Sequence, residues 1–165
     1  MPMGILSRRD FLRARTQSAP RVLPPGFVGP RPDACSNCRL CIDHCPTSIL
    51  IADEQGGPAV DFSRGECTLC GECRAACPHS EDLFDAAFAF PHHAQIEAGC
   101  LTHRGVDCQA CRDHCPTTAI RFRPRIGGPF QPEIDVDACN GCGACIAVCP
   151  VGAVSVTARQ ELVDA

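Results

Sequence analysis

Apolar residues occur along this chain in short bursts, each bounded by turn-forming residues. Thr47-Ser-Ile-Leu-Ile51 reads as a strand, Gly56-Gly57-Pro58 as a turn, and Ala59-Val-Asp-Phe62 as a returning strand. The same order recurs in Thr117-Thr-Ala-Ile-Arg-Phe122, Gly127-Gly128-Pro129 and Glu133-Ile-Asp-Val136. Two hairpins are therefore predicted, one in each half of an internal repeat. Between them, His79-Ser-Glu-Asp82 has the composition of a helix start, and Leu83, Phe84, Ala87 and Phe88 fall on one helical face. That helix is expected to cover an exposed side of the first half. His92-His93 is expected to be a solvated loop pair. Ile42, Ile49, Val60, Leu69, Ile146, Val148 and Val154 are the candidate apolar packing residues. No apolar run approaches the roughly 18 residues that span a bilayer, so no transmembrane segment is expected.

The hairpins are too small to support a core by themselves, and cysteine changes the picture. Sixteen of 165 residues are Cys. Three runs share one spacing: Cys35-x2-Cys38-x2-Cys41-x3-Cys45-Pro46, Cys67-x2-Cys70-x2-Cys73-x3-Cys77-Pro78 and Cys139-x2-Cys142-x2-Cys145-x3-Cys149-Pro150. This is the bacterial ferredoxin run for [4Fe–4S] clusters. Two-residue gaps let three thiolates of one tight loop cap three corners of a cubane. The three-residue gap carries the fourth cysteine, onto the start of a helix, toward the cluster of the partner run, and the following proline breaks the backbone hydrogen-bond pattern there. A fourth run, Cys108-x2-Cys111-x3-Cys115-Pro116, keeps only the back half of the pattern. Its leading thiolate is then Cys100, returned by a loop containing Gly105. The alternative is a free Cys100 and a degenerate site. Four clusters are expected, or three if that site is degenerate. Structural zinc uses paired C-x2-C knuckles with longer gaps between them, and fits these runs poorly. Neighbouring cysteines in such loops are also badly placed for disulfides.

These runs give an α+β fold class with two tandem ferredoxin-like modules, each holding two clusters. The expected division is residues 1–30 as an irregular, basic, proline-rich arm, 31–94 as module 1 and 95–165 as module 2. Runs one and two would then share a module, with Cys35, Cys38, Cys41 and Cys77 on one cluster and Cys67, Cys70, Cys73 and Cys45 on the next. Module 2 would pair Cys100, Cys108 and Cys111 with Cys149, and Cys139, Cys142 and Cys145 with Cys115. His44 and His114, each just before the last cysteine of a run, are either tuning groups or partly exposed helix residues.

Charge separates the arm from the body. Residues 1–30 carry five Arg and Asp10, summing to +4, which leaves −8 for the rest of a chain of net charge −4. An acidic body suits a carrier that docks on basic partners and gives no reason to expect nucleic acid. There is no Lys, hence no Schiff-base or P-loop lysine, and no catalytic constellation is present. No enzymatic activity is expected. Ser7-Arg8-Arg9-Asp10-Phe11-Leu12-Arg13 has the form of a twin-arginine export motif. Arg15, Pro20, Arg21, Pro24 and Pro25 interrupt the apolar segment that a working signal needs, so the chain is expected to stay in the cytoplasm.

The arm start, the three regular runs and the one displaced cysteine together resemble the NapF family of ferredoxin-type proteins, accessory proteins of the periplasmic nitrate reductase system. The resemblance covers nearly the whole chain. It implies a cytoplasmic electron-transfer protein that assists maturation of the reductase catalytic subunit, by cluster assembly or reduction, before export. The precursor of that subunit is the implied partner. A general polyferredoxin carrier serving other electron-transfer proteins, or an electron-transfer subunit of a membrane-bound oxidoreductase, is the alternative.

Overall fold

A computed structural model describes residues 21–28 and 35–159. The twin-arginine-like segment 7–13 lies outside the described residues. Within them the chain forms α1 (Leu40–Asp43), β1 (Leu50–Ala52), β2 (Pro58–Val60), α2 (Glu72–Ala75), α3 (Ser80–Leu83), β3 (His92–Ile96), α4 (Ala110–Asp113), β4 (Ile120–Arg123), β5 (Gln131–Ile134), α5 (Ala144–Ala147) and β6 (Val154–Ala158). Each helix is a single turn: α1, α2, α4 and α5 follow a cysteine loop and end just before Cys-Pro, and α3 ends where Phe84 turns extended.

Both predicted hairpins form. β1 and β2 pair antiparallel with Leu50 opposite Val60, and β4 and β5 with Ile120 opposite Ile134. A third antiparallel ladder joins β3 to β6, from His92 opposite Ala158 to Ile96 opposite Val154. It ties the linker to the end of the described chain. β3 straddles the expected module boundary at 94/95, and it reaches its partner across the whole second half.

Two small cores result. Ile49, Leu50, Val60, Phe62 and Phe90 form one; Ala94, Cys111, Ile120, Cys145 and Val154 form the other. Ile146 packs against both and joins them. Of the packing residues expected from the pattern, Ile49, Val60 and Val154 are buried, and Ile42, Leu69 and Ile146 pack partly buried on the cores.

Three expectations need correction. First, residues 21–28 are part of the first half and not a separate arm. Pro24 and Pro25 are fully buried. Val60 N–H donates to Val22 O, Gly26 N–H to Ala89 O, Val28 N–H to Leu83 O and Asp85 N–H to Gly26 O. Arg21 also pairs with Asp53 at 2.6 Å. Second, the helix expected through Phe88 stops at Leu83. Phe84 turns extended (φ −126°, ψ 130°) and meets Phe27 edge-to-face at 5.3 Å, while segment 24–28 takes the backbone groups that would have continued the helix. Third, His92 is buried in β3 and is not a solvated loop residue.

Deleting residues 1–28 should therefore destabilise the protein well beyond deletion of 1–20. Four inter-segment backbone hydrogen bonds at about 1 kcal/mol each would be lost, together with two buried prolines. Equal thermal midpoints for the two truncations would contradict that placement.

Candidate metal centre

The cysteine loops share an uncommon backbone. The residues flanking the second cysteine of each regular run are left-handed: Asn37 and Arg39 (φ 58° and 66°), Leu69 and Gly71 (54° and 82°), and Gly141 and Gly143 (75° and 78°). For Asn37, Arg39 and Leu69 this conformation costs about 1 kcal/mol each, so something must hold it. The third cysteine of each run then sits on a one-turn helix: Cys41 on α1, Cys73 on α2 and Cys145 on α5. In the displaced run Cys111 sits likewise on α4, but Gln109 is not left-handed (φ −132°). There, Arg104 N–H donates to Cys100 O, Gly105 N–H to Thr102 O and Val106 N–H to Leu101 O. That closed turn returns the chain toward Cys100.

In the first half the thiols gather in fours across runs. One pocket is lined by Cys35, Cys38 and Cys41 of the first run and Cys77 of the second. Another is lined by Cys67, Cys70 and Cys73 of the second and Cys45 of the first. Phe27, Ile42, Leu83 and Phe84 complete the former, and Pro25, Ile49, Leu50, Val60 and Leu69 the latter. In the second half, the Cys100 and Cys108 thiols bear on Cys111, and Cys115 and Cys139 bear on Cys142. Cys149 packs on the same core as Cys111, and its Sγ accepts the Ala153 N–H at 3.2 Å. Cys139 Sγ accepts the Ala94 N–H at 3.5 Å.

Burial dominates the electrostatics. It pushes Cys41 and Cys111 up to about 11, helped by Cys77 at the former and Cys100 at the latter. It pushes Cys73 and Cys145 to about 12, helped by Cys67 and Cys142 respectively. Such thiols ionise only against a strongly cationic centre, which iron provides. All sixteen are free of disulfides. Among the described residues no group of three or more His, Cys, Asp or Glu could hold a single metal ion. Four thiols around a space, and not around one point, fit a polynuclear cluster and do not fit structural zinc.

Several polar groups here carried no expectation from the sequence. Thr47, Thr117 and Thr102 each stand two residues after a cysteine, with hydroxyls 3.6, 3.6 and 3.3 Å from Cys45, Cys115 and Cys100 Sγ. The repeated Cys-x-Thr spacing was the available signal. His44 and His114 instead bond the Leu40 and Ala110 carbonyls of their own helices through Nδ1, at 2.9 and 3.0 Å, and are exposed.

These loops and quartets define a class, and comparison with known proteins agrees with it. Residues 34–80 and 105–153 match the 4Fe-4S dicluster domain, so the chain belongs to that family and carries [4Fe–4S] clusters. Cys100 lies outside the matched residues. Within the class, the chain belongs to the NapF ferredoxin-type proteins. It is 38% identical over 154 residues to ferredoxin-type protein NapF of Escherichia coli K12, covering 90% of this chain and 93% of that protein. It is 39% identical over 176 residues to ferredoxin-type protein NapF of Haemophilus influenzae, covering 98% and 99%. Ferredoxin-type protein NapG of E. coli K12 is 28% identical over 156 residues, covering 80% of this chain and 67% of that protein. No helix among the described residues is long and apolar enough to cross a membrane.

Proposed function

We propose that the chain is a cytoplasmic electron-transfer accessory protein holding four [4Fe–4S] clusters in two tandem ferredoxin modules. It would serve the catalytic subunit of periplasmic nitrate reductase before export, in cluster assembly or reduction. The ligand sets are Cys35, Cys38, Cys41 and Cys77; Cys67, Cys70, Cys73 and Cys45; Cys139, Cys142, Cys145 and Cys115; and Cys100, Cys108, Cys111 and Cys149. When bound, such clusters supply reversible one-electron chemistry at low potential. The protein's part is to hold the thiolates in apolar pockets, donate amide and hydroxyl hydrogen bonds to sulfur, and limit water. The observation that carries the reading is the gathering of thiols from two different runs in each first-half pocket, in a chain 38% identical to NapF.

A subunit exported folded must receive its cluster in the cytoplasm, where electrons for assembly must also be delivered. The basic segment 1–20 gives an acidic carrier a means to dock on an acidic partner. Co-purification with the reductase precursor and with the exported mature enzyme tests this. Preferential binding of the precursor is expected, with weaker and less salt-dependent binding by Arg8→Ala/Arg9→Ala. Equal, weak binding to many reductases would favour a general carrier. Recovery of the protein in the periplasm would overturn the cytoplasmic assignment.

A further inference from the structure

The two halves meet at one tightly built place. Loop 139–145 presses on Phe62 and Phe90 of the first core and on His92. A Cβ at Gly143 would lie 2.1 Å from Phe62 Cδ1, and one at Gly141 would lie 2.8 Å from Phe90 Cβ and 2.9 Å from His92 O. No side chain fits at either position. Gly71 occupies the same place in the second run, with the same left-handed backbone (φ 82°), yet nothing lies within 4 Å of its Cβ position. The crowding at Gly143 therefore belongs to the meeting of the halves, and the loop's own conformation does not require it.

Polar and aromatic contacts fasten the same place. Phe62 meets Phe90 and His92 edge-to-face and Phe90 lies tilted on His92, with ring centroids 4.7 to 5.9 Å apart. His92 Nε2–H donates to Gly141 O at 2.9 Å. Cys67 N–H donates to Cys142 O at 2.9 Å. Those two cysteines belong to different halves and different quartets. Within each half, α1 packs on α2 and α4 on α5, which brings Cys41 toward Cys73 and Cys111 toward Cys145.

We propose that this contact, built by Gly143 seated on Phe62 and by the Cys67–Cys142 hydrogen bond, is an electron junction that connects the two halves. The four quartets then form one line: Cys35/38/41/77, Cys45/67/70/73, Cys115/139/142/145 and Cys100/108/111/149. Gly141, Gly143, Phe62 and His92 are positioning residues in it. This rests on the four-cluster reading above. Each transfer along the line oxidises one site by one electron and reduces the next by one, with no bond made or broken. The external reductant is any low-potential one-electron donor.

The test uses the full-length, iron-loaded protein, reduced anaerobically with dithionite. Electron paramagnetic resonance reports spin coupling between sites through the microwave power at half-saturation. Gly143→Ala should lower that power several-fold at unchanged iron content. Gly127→Ala, in the turn between β4 and β5 with a comparable left-handed backbone (φ 76°) and nothing within 4 Å of its Cβ position, should leave it at the wild-type value. Adding Phe62→Ala to Gly143→Ala should restore it. Hydrogen exchange on the wild type gives a second readout, independent of any variant's folding: the peptide containing Cys67 should be protected at least tenfold by its bond to Cys142. Wild-type saturation in fully loaded Gly143→Ala, an equal drop in Gly127→Ala, or intrinsic-rate exchange at Cys67 would each overturn the junction. Wild-type protein with no cluster signal at all would instead remove the cluster reading beneath it.

Discussion

Chelating the iron from this protein under anaerobic conditions should unfold it. Five residues form the first core and five the second, and two of the latter are cysteines of the quartets. Every helix among the described residues is one turn long, and every sheet has two strands. Units of this size bury too little apolar surface to outweigh chain entropy, and two-stranded sheets are marginal in water. Cross-linking through iron must supply the difference, and metal sites in small domains contribute on the order of 10 kcal/mol. Without iron the buried thiols of Cys41, Cys73, Cys111 and Cys145 stay protonated and neutral, because burial pushes them up to about 11 to 12, so nothing ionic replaces the lost cross-links. Far-ultraviolet dichroism and cluster absorbance should therefore disappear together. With no Trp or Tyr, near-ultraviolet absorbance reports almost wholly on the clusters. A folded, cooperative melting transition surviving loss of about sixteen iron per chain would contradict this.

The second large effect concerns which thiols act together. Cys77→Ala should remove about a quarter of the iron, and the thiols newly open to alkylation should be Cys35, Cys38 and Cys41. Cys67, Cys70 and Cys73, its own run-mates, should stay protected. Cys45→Ala should expose Cys67, Cys70 and Cys73 in turn. Alanine is the informative replacement, since a serine oxygen can take the place of a lost thiolate. The expectation follows from the pockets, each of which draws its fourth cysteine from the other run. Cys100→Ala should likewise lower iron by about a quarter and expose Cys108, Cys111 and Cys149. Exposure of run-mates in Cys77→Ala would mean that each run closes its own cluster. About twelve iron per chain, unchanged in Cys100→Ala, would reduce the count to three.

Spacing along the chain is enough to determine the local chemistry. A tight C-x2-C-x2-C loop can only present its thiols to a common centre, so the loops were legible residue by residue; the helices were not, since a helix was expected to start at the fourth cysteine and instead one turn carries the third, as Cys41 on Leu40–Asp43, and ends before the fourth. The Gly-Gly turns marked both β hairpins for the same local reason. What depends on distant partners was not legible. Segment 21–28 looked like a loose extension because its prolines and glycine resemble a linker; only the first half, with Ala89, Leu83 and Val60 offering backbone partners, makes it part of the core. The apolar face through Phe88 has helical period, yet Phe84 turns extended because Phe27 and Gly26 compete for it. His92 read as solvated because nothing near it in sequence could bury it; the strand partner β6 and loop 139–145 lie about 50 to 65 residues away. Short-range stereochemistry follows from the sequence itself, whereas Phe62 on Gly143 and Cys67 on Cys142 exist only because two independently readable halves pack face to face.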